Sequence, residues 1–83
     1  MTLEEAKNFF QKDKFATCAA GIVLEKLDEN GAVCTMVITD NHRNAVGAVM
    51  GGALFTLADF GFAAAANFKG MGTVTLSSQI QFL

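Results

Sequence analysis

The segment spanning residues 46–68 constrains this chain more than any other part of its sequence. It contains no proline and only one charged residue, Asp59. Apolar residues occur at every angle around a helical projection, so we predict a helix over residues 49–68 that is buried on every side. Strong helix formers are frequent within it: Ala53, Leu54, Leu57, Ala58 and the run Ala63 to Ala66.

The remaining segments predict a short helix and three strands. Thr2 and Glu5 have the spacing of a capping box, which starts a helix that runs to about Lys12. Residues 15–27 and 32–39 have a β-like pattern, in which Gly21 is a candidate bulge position. The Asp-Glu-Asn-Gly turn between them predicts a hairpin. Residues 40–46 form a polar loop, the segment 67–72 ends the long helix with Gly70 as a candidate cap, and residues 73–83 alternate like a strand.

The length of the chain limits how much it can bury. Eighty-three residues make one domain, residues 1–83, and 52% of them are hydrophobic. A hairpin and one further strand cannot surround a helix that is apolar all round. We therefore predict an α+β domain that shares apolar surface with a second chain.

Composition also excludes several classes of protein. The net charge is −2 and the six basic residues are scattered, so no basic stripe for nucleic acid exists. Cys18 and Cys34 have neither metal-ligand nor redox spacing, and we interpret both as small core residues in a reducing compartment. The first residues lack a basic region and an apolar run, so we expect no signal peptide and a cytoplasmic location.

A membrane helix is an alternative for the apolar segment. Residues 45–66 are 22 positions with one charge, and Gly47 and Gly51 have the spacing of a helix-dimer motif. However, Asp59 near the centre costs about 2.5–3.5 kcal/mol on insertion scales, and the flanks lack an aromatic belt. We therefore expect no membrane association.

Two features of the long helix indicate chemistry. Asp59 is a carboxylate in apolar surroundings, which is costly unless it is paired, hydrogen-bonded or used. Gly51 and Gly52 stand at the helix start, where free N–H groups and a partial positive charge can bind a phosphate or an oxyanion. A structural Asp and tight glycine packing are the alternative interpretations.

The polar loop before the helix adds Asn44 and His42. Asn in a loop usually forms turns, and a lone His between Asn41 and Arg43 is more often exposed or structural than catalytic. One His cannot make a metal site, so we expect no metal.

Taken together, the segment NHRNAVGAVMGGALFTLADFGFAAAAN resembles the hotdog-fold acyl-CoA thioesterases of the phenylacetate-degradation (PaaI-like) type. The resemblance covers nearly the whole chain. The fold it implies is an antiparallel sheet wrapped round a long central helix, with the C-terminal strands missing from this chain. The positions that match the family are Asn44, Gly47, Met50-Gly51-Gly52, Leu57-Ala58-Asp59 and the downstream Ser77 and Ser78.

The resemblance also implies a role for each site residue. Asp59 would be the nucleophile or the general base, and the Gly51 amide would polarise the thioester carbonyl. Asn44 would orient the thioester, and Ser77 would position the water or Asp59. The acyl-CoA site would lie across a homodimer, and such dimers often pair again into tetramers. Coenzyme A would enter as part of the substrate, so no cofactor is expected. Candidate substrate-binding residues are Met50 (where many members have His), Gly52, Phe55 and Phe60.

Two other functions fit the same residues. A hotdog protein without the later strands can bind acyl-CoA without hydrolysing it, as an inactive remnant. A soluble α+β domain in which Asp59 is purely structural is the second alternative. Phe55 and Phe60 are also interpretable as plain core, because aromatic side chains dominate core burial.

Overall fold

The computed structural model describes residues 2–68 of the chain. The elements in chain order are helix α1, a π-helical turn, strands β1 and β2, a 3₁₀ turn and helix α2. Their bounds are Leu3–Phe10, Phe15–Ala19, Ile22–Asp28, Gly31–Met36, Asp40–His42 and Gly51–Ala66. The predicted strand over residues 73–83 and the predicted cap at Gly70 lie outside the described residues.

Helix α1 begins with the capping box that the sequence predicts. The Thr2 hydroxyl accepts a hydrogen bond from the Glu5 amide at 3.2 Å, and the Glu5 carboxylate accepts one from the Thr2 amide at 2.9 Å. Two of the unpaired N–H groups at this helix start are therefore satisfied reciprocally. The helix ends at Phe10, slightly before the expected Lys12, and buries Ala6 and Phe10.

The segment before the hairpin differs from the prediction, because residues 15–19 form a helical turn and not a strand. The Ala20 amide donates to the Phe15 carbonyl at 2.9 Å, five residues back, which closes this turn. Two of its five residues, Ala16 and Ala19, are strong helix formers. Gly21 then takes φ +73° and turns the chain into β1, so the predicted bulge at Gly21 is wrong.

The predicted hairpin is confirmed. Asp28 pairs with Gly31, so Glu29 and Asn30 are its two-residue loop, and the register shifts once, between Leu24 and Lys26. The last pair is Ile22 with Met36. Strand β2 stops there, three residues before the predicted end, because its partner strand begins at Ile22.

Helix α2 begins and ends within two residues of its predicted bounds. Met50 is its N-cap residue, with φ −62° and ψ 135° and no side-chain capping bond. At the other end, the buried side chain of Asn67 donates from Nδ2 to the Ala63 carbonyl at 2.8 Å. The Ala63 carbonyl also accepts from the Asn67 backbone amide at 3.2 Å, so the side chain adds a second hydrogen bond at this helix end.

The core lies between α2, α1 and the inner face of the hairpin. Phe10 and Phe60 meet edge to face, with ring centroids 5.7 Å apart and planes at 71°. This is a favoured geometry for an aromatic pair. The other buried members are small or aliphatic: Ala6, Ala16, Ala20, Ile22, Leu24, Leu27 and Ala64.

The prediction that α2 is buried on every side is wrong for the described chain. Only Phe60 and Ala64 are buried in this helix, whereas Leu54 is 39% and Phe62 52% exposed. Asp59 is exposed as well. The physical reason is that the hairpin and α1 cover one side of α2. The other side is an apolar face that carries one carboxylate and is exposed to solvent.

The two cysteines differ in their exposure to solvent. Cys18 is exposed, so its predicted place in the core is wrong, because the helical turn directs Ala16 and Ala20 inward instead. Cys34 is partly buried beside α2, and this burial raises the pKa of its thiol.

Within residues 2–68, no helix combines the length and the hydropathy that crossing a membrane requires. Helix α2 has 16 residues, which corresponds to about 24 Å of helix.

Candidate functional site

The loop between β2 and α2 is held to the body of the protein by His42. Its ring is buried, with 7% of the residue exposed. Nε2 lies 2.7 Å from the Ala20 carbonyl oxygen, and Nδ1 accepts from the Thr39 amide at 3.0 Å. The sequence allowed an exposed or a structural His42, and the structural interpretation is confirmed.

Asn44 closes the tip of this loop. Its Oδ1 accepts hydrogen bonds from the Val46 and Ala48 amides at 3.1 and 3.0 Å, and its backbone carbonyl accepts one from Gly47 at 2.9 Å. Gly47 has φ +87°, a conformation that favours glycine. The loop amides thus occupy Oδ1 of the carboxamide. Its Nδ2 makes no hydrogen bond to another of residues 2–68.

The two ends of the loop meet at the start of α2. Arg43 and Val49 form an isolated antiparallel bridge, and the Met50 amide donates to the His42 carbonyl at 2.7 Å. The Arg43 guanidinium also donates to the Gly47 carbonyl at 3.0 Å. These contacts bring Asn44 and the first turn of α2 to the same end of the molecule.

The first turn of α2 presents N–H groups outward. The Met50 carbonyl accepts from Ala53 at 3.1 Å and from Leu54 at 3.3 Å. The Gly51 and Gly52 amides have no acceptor among residues 2–68, as expected for the first positions of a helix without a side-chain cap. Together with the helix dipole, they form a place where a carbonyl oxygen can gain negative charge at low cost.

Asp59 lies far from that place in the same chain. Eight residues separate it from Gly51, which is about 12 Å along the helix axis, and about 80° around it. One chain therefore does not bring the carboxylate and the Gly51 amide to a single reacting atom.

The candidate substrate-binding residues fall into different environments. Met50 and Gly52 are exposed at the helix start, and Phe55 is half-buried on the next turn. Phe60 is 3% exposed and packs against Phe10, as its interpretation as core implies. Ser77 lies outside the described residues.

Sequence reasoning did not find the contact between His42 and Ala20. The two residues are 22 positions apart, and neither the lone His nor the alanine carries a local signal of the contact. The spacing of Thr39 and His42, which form a local cap of the 3₁₀ turn, was the only available indication.

These features define the class of the molecule. It is an α+β protein in which an antiparallel hairpin packs on a long helix, and this arrangement is a partial hotdog fold. No protein-family model matches the chain. No solved structure matches it significantly.

The sequence is significantly similar to that of one curated protein. The chain is 38% identical over 80 residues to the acyl-coenzyme A thioesterase PaaI of Escherichia coli (strain K12), and the match covers 96% of this chain. The chain spans 56% of the length of that relative. The resemblance to PaaI-like thioesterases predicted from the sequence is thereby confirmed.

Proposed function

We propose that this chain carries the active-site region of an acyl-CoA thioesterase, which hydrolyses a thioester to a free acid and coenzyme A. The similarity to the PaaI thioesterase supports the reaction class. The observation that carries the proposal is the pair of unbonded glycine amides at the start of α2, in a segment that shares the family's motif. Coenzyme A is part of the substrate, and the proposed reaction uses no cofactor.

The proposed oxyanion donors lie at one end of α2. The Gly51 N–H binds the thioester oxygen and stabilises the negative charge that develops as the carbonyl is attacked. The Nδ2 of Asn44 is a second donor at this end, because the loop already uses the oxygen of that carboxamide.

Asp59 supplies the attacking group. It acts either as the nucleophile or as the general base that takes a proton from water while the water oxygen bonds to the carbonyl carbon. In the general-base route, collapse of the tetrahedral intermediate breaks the carbon–sulfur bond, and the thiolate takes the proton that Asp59 removed from water, so coenzyme A leaves as its thiol. In the nucleophile route, the thiolate leaves first and is protonated by solvent, and water then hydrolyses the anhydride between the acyl group and Asp59. Ser77 positions the water or the carboxylate in this proposal.

The site is divided between two copies of the chain. Asp59 and the Gly51 amide of one chain are about 12 Å apart along α2, too far to contact one carbonyl group. A homodimer that pairs Asp59 of one copy with Gly51 of the other removes this separation. It also covers the exposed apolar face of α2, and such dimers can pair again into tetramers.

The remaining assignments complete the proposal. The acyl group and the pantetheine arm contact Met50, Gly52 and Phe55 near the helix start. Phe60 is buried against Phe10 and belongs to the core instead. The free thiols of Cys18 and Cys34 suit a reducing compartment, so we propose a cytoplasmic location.

The Gly51→Pro variant tests the oxyanion donor. Proline is well tolerated at the first helical position, and its ring carbon Cδ replaces the hydrogen of the N–H. Met50 already has ψ 135°, which is the conformation required before a proline. We expect Gly51→Pro to lower kcat for acyl-CoA hydrolysis by about 10²–10³-fold, the usual cost of losing one oxyanion donor.

Gly51→Ala is the matched control, because it adds a Cβ at the same position and keeps the N–H. It should retain kcat close to that of the wild type. Thiol release from a panel of acyl-CoA esters provides the rate, and circular dichroism verifies that both variants fold. If both variants have the same kcat, the Gly51 amide is not the donor.

A further inference from the structure

His42 stands out among the groups that the proposed reaction does not use. Two polar side chains are buried within residues 2–68, His42 and Asn67. Asn67 caps the end of α2. His42 lies near the opposite end of the same helix and connects three parts of the chain.

The hydrogen bonds of His42 define its tautomer. A backbone amide can only donate, so the Thr39 N–H at 3.0 Å makes Nδ1 an acceptor without a proton. The proton is then on Nε2, which donates to the Ala20 carbonyl at 2.7 Å. The neutral ring therefore has one donor and one acceptor, and each of them makes a hydrogen bond.

The backbone of His42 continues this connection to α2. Its carbonyl accepts from the Met50 amide at 2.7 Å, and Met50 has no side-chain capping bond. The start of α2 is therefore held by His42 and not by a cap of its own. Ala20 belongs to the buried core, so the line from Ala20 through His42 to Met50 ties the helix start to a rigid part of the fold.

We propose that His42 is a positioning residue that fixes the place of the Gly51 amide for the thioester oxygen. This inference rests on the proposed function, because Gly51 is the oxyanion donor there. An oxyanion donor stabilises the transition state only when it is held in the productive geometry. Loosening the Ala20 contact lets the loop carry Met50 and Gly51 away from that geometry.

Two substitutions separate the two ring nitrogens. In His42→Asn, the side-chain oxygen can replace Nδ1 as the acceptor for Thr39, but the side chain is too short to reach Ala20. In His42→Gln, the amide nitrogen can replace Nε2 as the donor to Ala20, but the acceptor for Thr39 is lost. Asn41→Ala is the matched control, because the Asn41 side chain is exposed and only its backbone amide bonds to Thr39.

The kinetic readout is a split between kcat and KM for acyl-CoA hydrolysis. We expect His42→Asn to lower kcat about ten- to a hundredfold, as for a displaced catalytic group, with KM changed less than about twofold. His42→Gln should recover most of this loss, and Asn41→Ala should match the wild type. A merely structural role would not produce recovery by the variant that retains only the Ala20 contact.

The second readout is independent of activity. The amide proton and nitrogen resonances of Gly51 in two-dimensional NMR respond to a change in the backbone geometry and surroundings of that N–H. They should shift in His42→Asn and stay near their wild-type values in His42→Gln and Asn41→Ala. If the wild type hydrolyses no acyl-CoA, the proposed function fails, and these resonances still decide whether His42 positions the amide.

One result overturns the inference: a folded His42→Asn protein with unchanged Gly51 resonances and unchanged kcat. If His42→Asn does not fold, His42→Ser replaces it, since its short side chain also cannot reach the Ala20 carbonyl. His42→Ser should then shift the Gly51 resonances measurably. Unchanged resonances in that variant also contradict the positioning role.

Discussion

Polar side chains satisfy backbone amides at several points where the described chain changes direction. Thr2 accepts the Glu5 amide at the start of α1, Asn44 accepts two amides in the loop before α2, and His42 accepts the Thr39 amide. Each of these bonds replaces a hydrogen bond that the amide would otherwise make to water. The direction of the chain at these points is therefore set by individual residues.

The capping box makes a pH-dependent contribution to stability. Hydrogen bonds from the amide and then the hydroxyl of Thr2 lower the pKa of Glu5 below its ordinary value. The folded state thus favours the ionised carboxylate. This contribution is fully present above the pKa of an unfolded glutamate, about 4.3, and is lost as the pH falls through the lower folded value.

We therefore expect Glu5→Gln to be less stable than the wild type at pH 7, and the difference to shrink at pH 3. Urea unfolding at both pH values measures it. Glu4→Gln is the control, because it removes the same charge from the same turn without the bonds to Thr2. An equal loss of stability in Glu5→Gln at pH 3 and at pH 7 would contradict this pH dependence.

At the scale of elements, the contact between α2 and the hairpin determines which helix positions matter. Gly61 faces the hairpin, and a Cβ built there would lie 3.7 Å from the Cys34 sulfur, an ordinary van der Waals distance. Gly47 lies in the loop, where φ is +87° and space around it is open. The backbone conformation at position 47 therefore favours glycine, whereas position 61 has room for a methyl group.

These environments predict opposite effects of alanine. Gly61→Ala should stabilise the protein by about 0.5–1 kcal/mol, because glycine is unfavourable inside a helix and the new methyl group fits. Gly47→Ala should destabilise it by about 1–2 kcal/mol through backbone strain. Chemical unfolding of both variants measures the free energies. A loss of stability in Gly61→Ala would mean that α2 packs more tightly on β2 than described.

The elements also indicate how far sequence reasoning reaches. The capping box, the hairpin and the bounds of α2 depend on local signals, and each was predicted to within a few residues. The helical turn over residues 15–19 and the exposure of Cys18 depend on packing between distant segments. The predictions of a strand over these residues and of a buried Cys18 are therefore wrong. For the site, Asn44 and the glycine amides follow from turn and helix-end chemistry, whereas the Ala20 contact of His42 does not.

Considered as a whole, the described molecule leaves much apolar surface in water. Large side chains that are exposed in it include Phe15, Val37, Val46, Leu54 and Phe62. Asp59 was predicted to be buried, and its exposure on the same helix as Leu54 and Phe62 is the main correction to the prediction. An apolar surface of this kind, with a carboxylate on it, is typical of a contact face.

The central claim is that Asp59 and the Gly51 amide of different copies form one site. Asp59→Asn removes the carboxylate, and Gly51→Pro removes the N–H, so each variant alone should be nearly inactive. A mixed dimer has one site in which both changes meet and one site in which neither is present. Two different affinity tags, one on each variant, allow that mixed dimer to be purified.

The acyl-CoA hydrolysis rate of the purified mixed dimer is the most direct measurement. We predict about half of the wild-type rate per dimer, because one of the two symmetric sites is intact. The two parent homodimers, purified in the same way, serve as controls and should remain inactive. A mixed dimer that is as inactive as its parents would contradict the account.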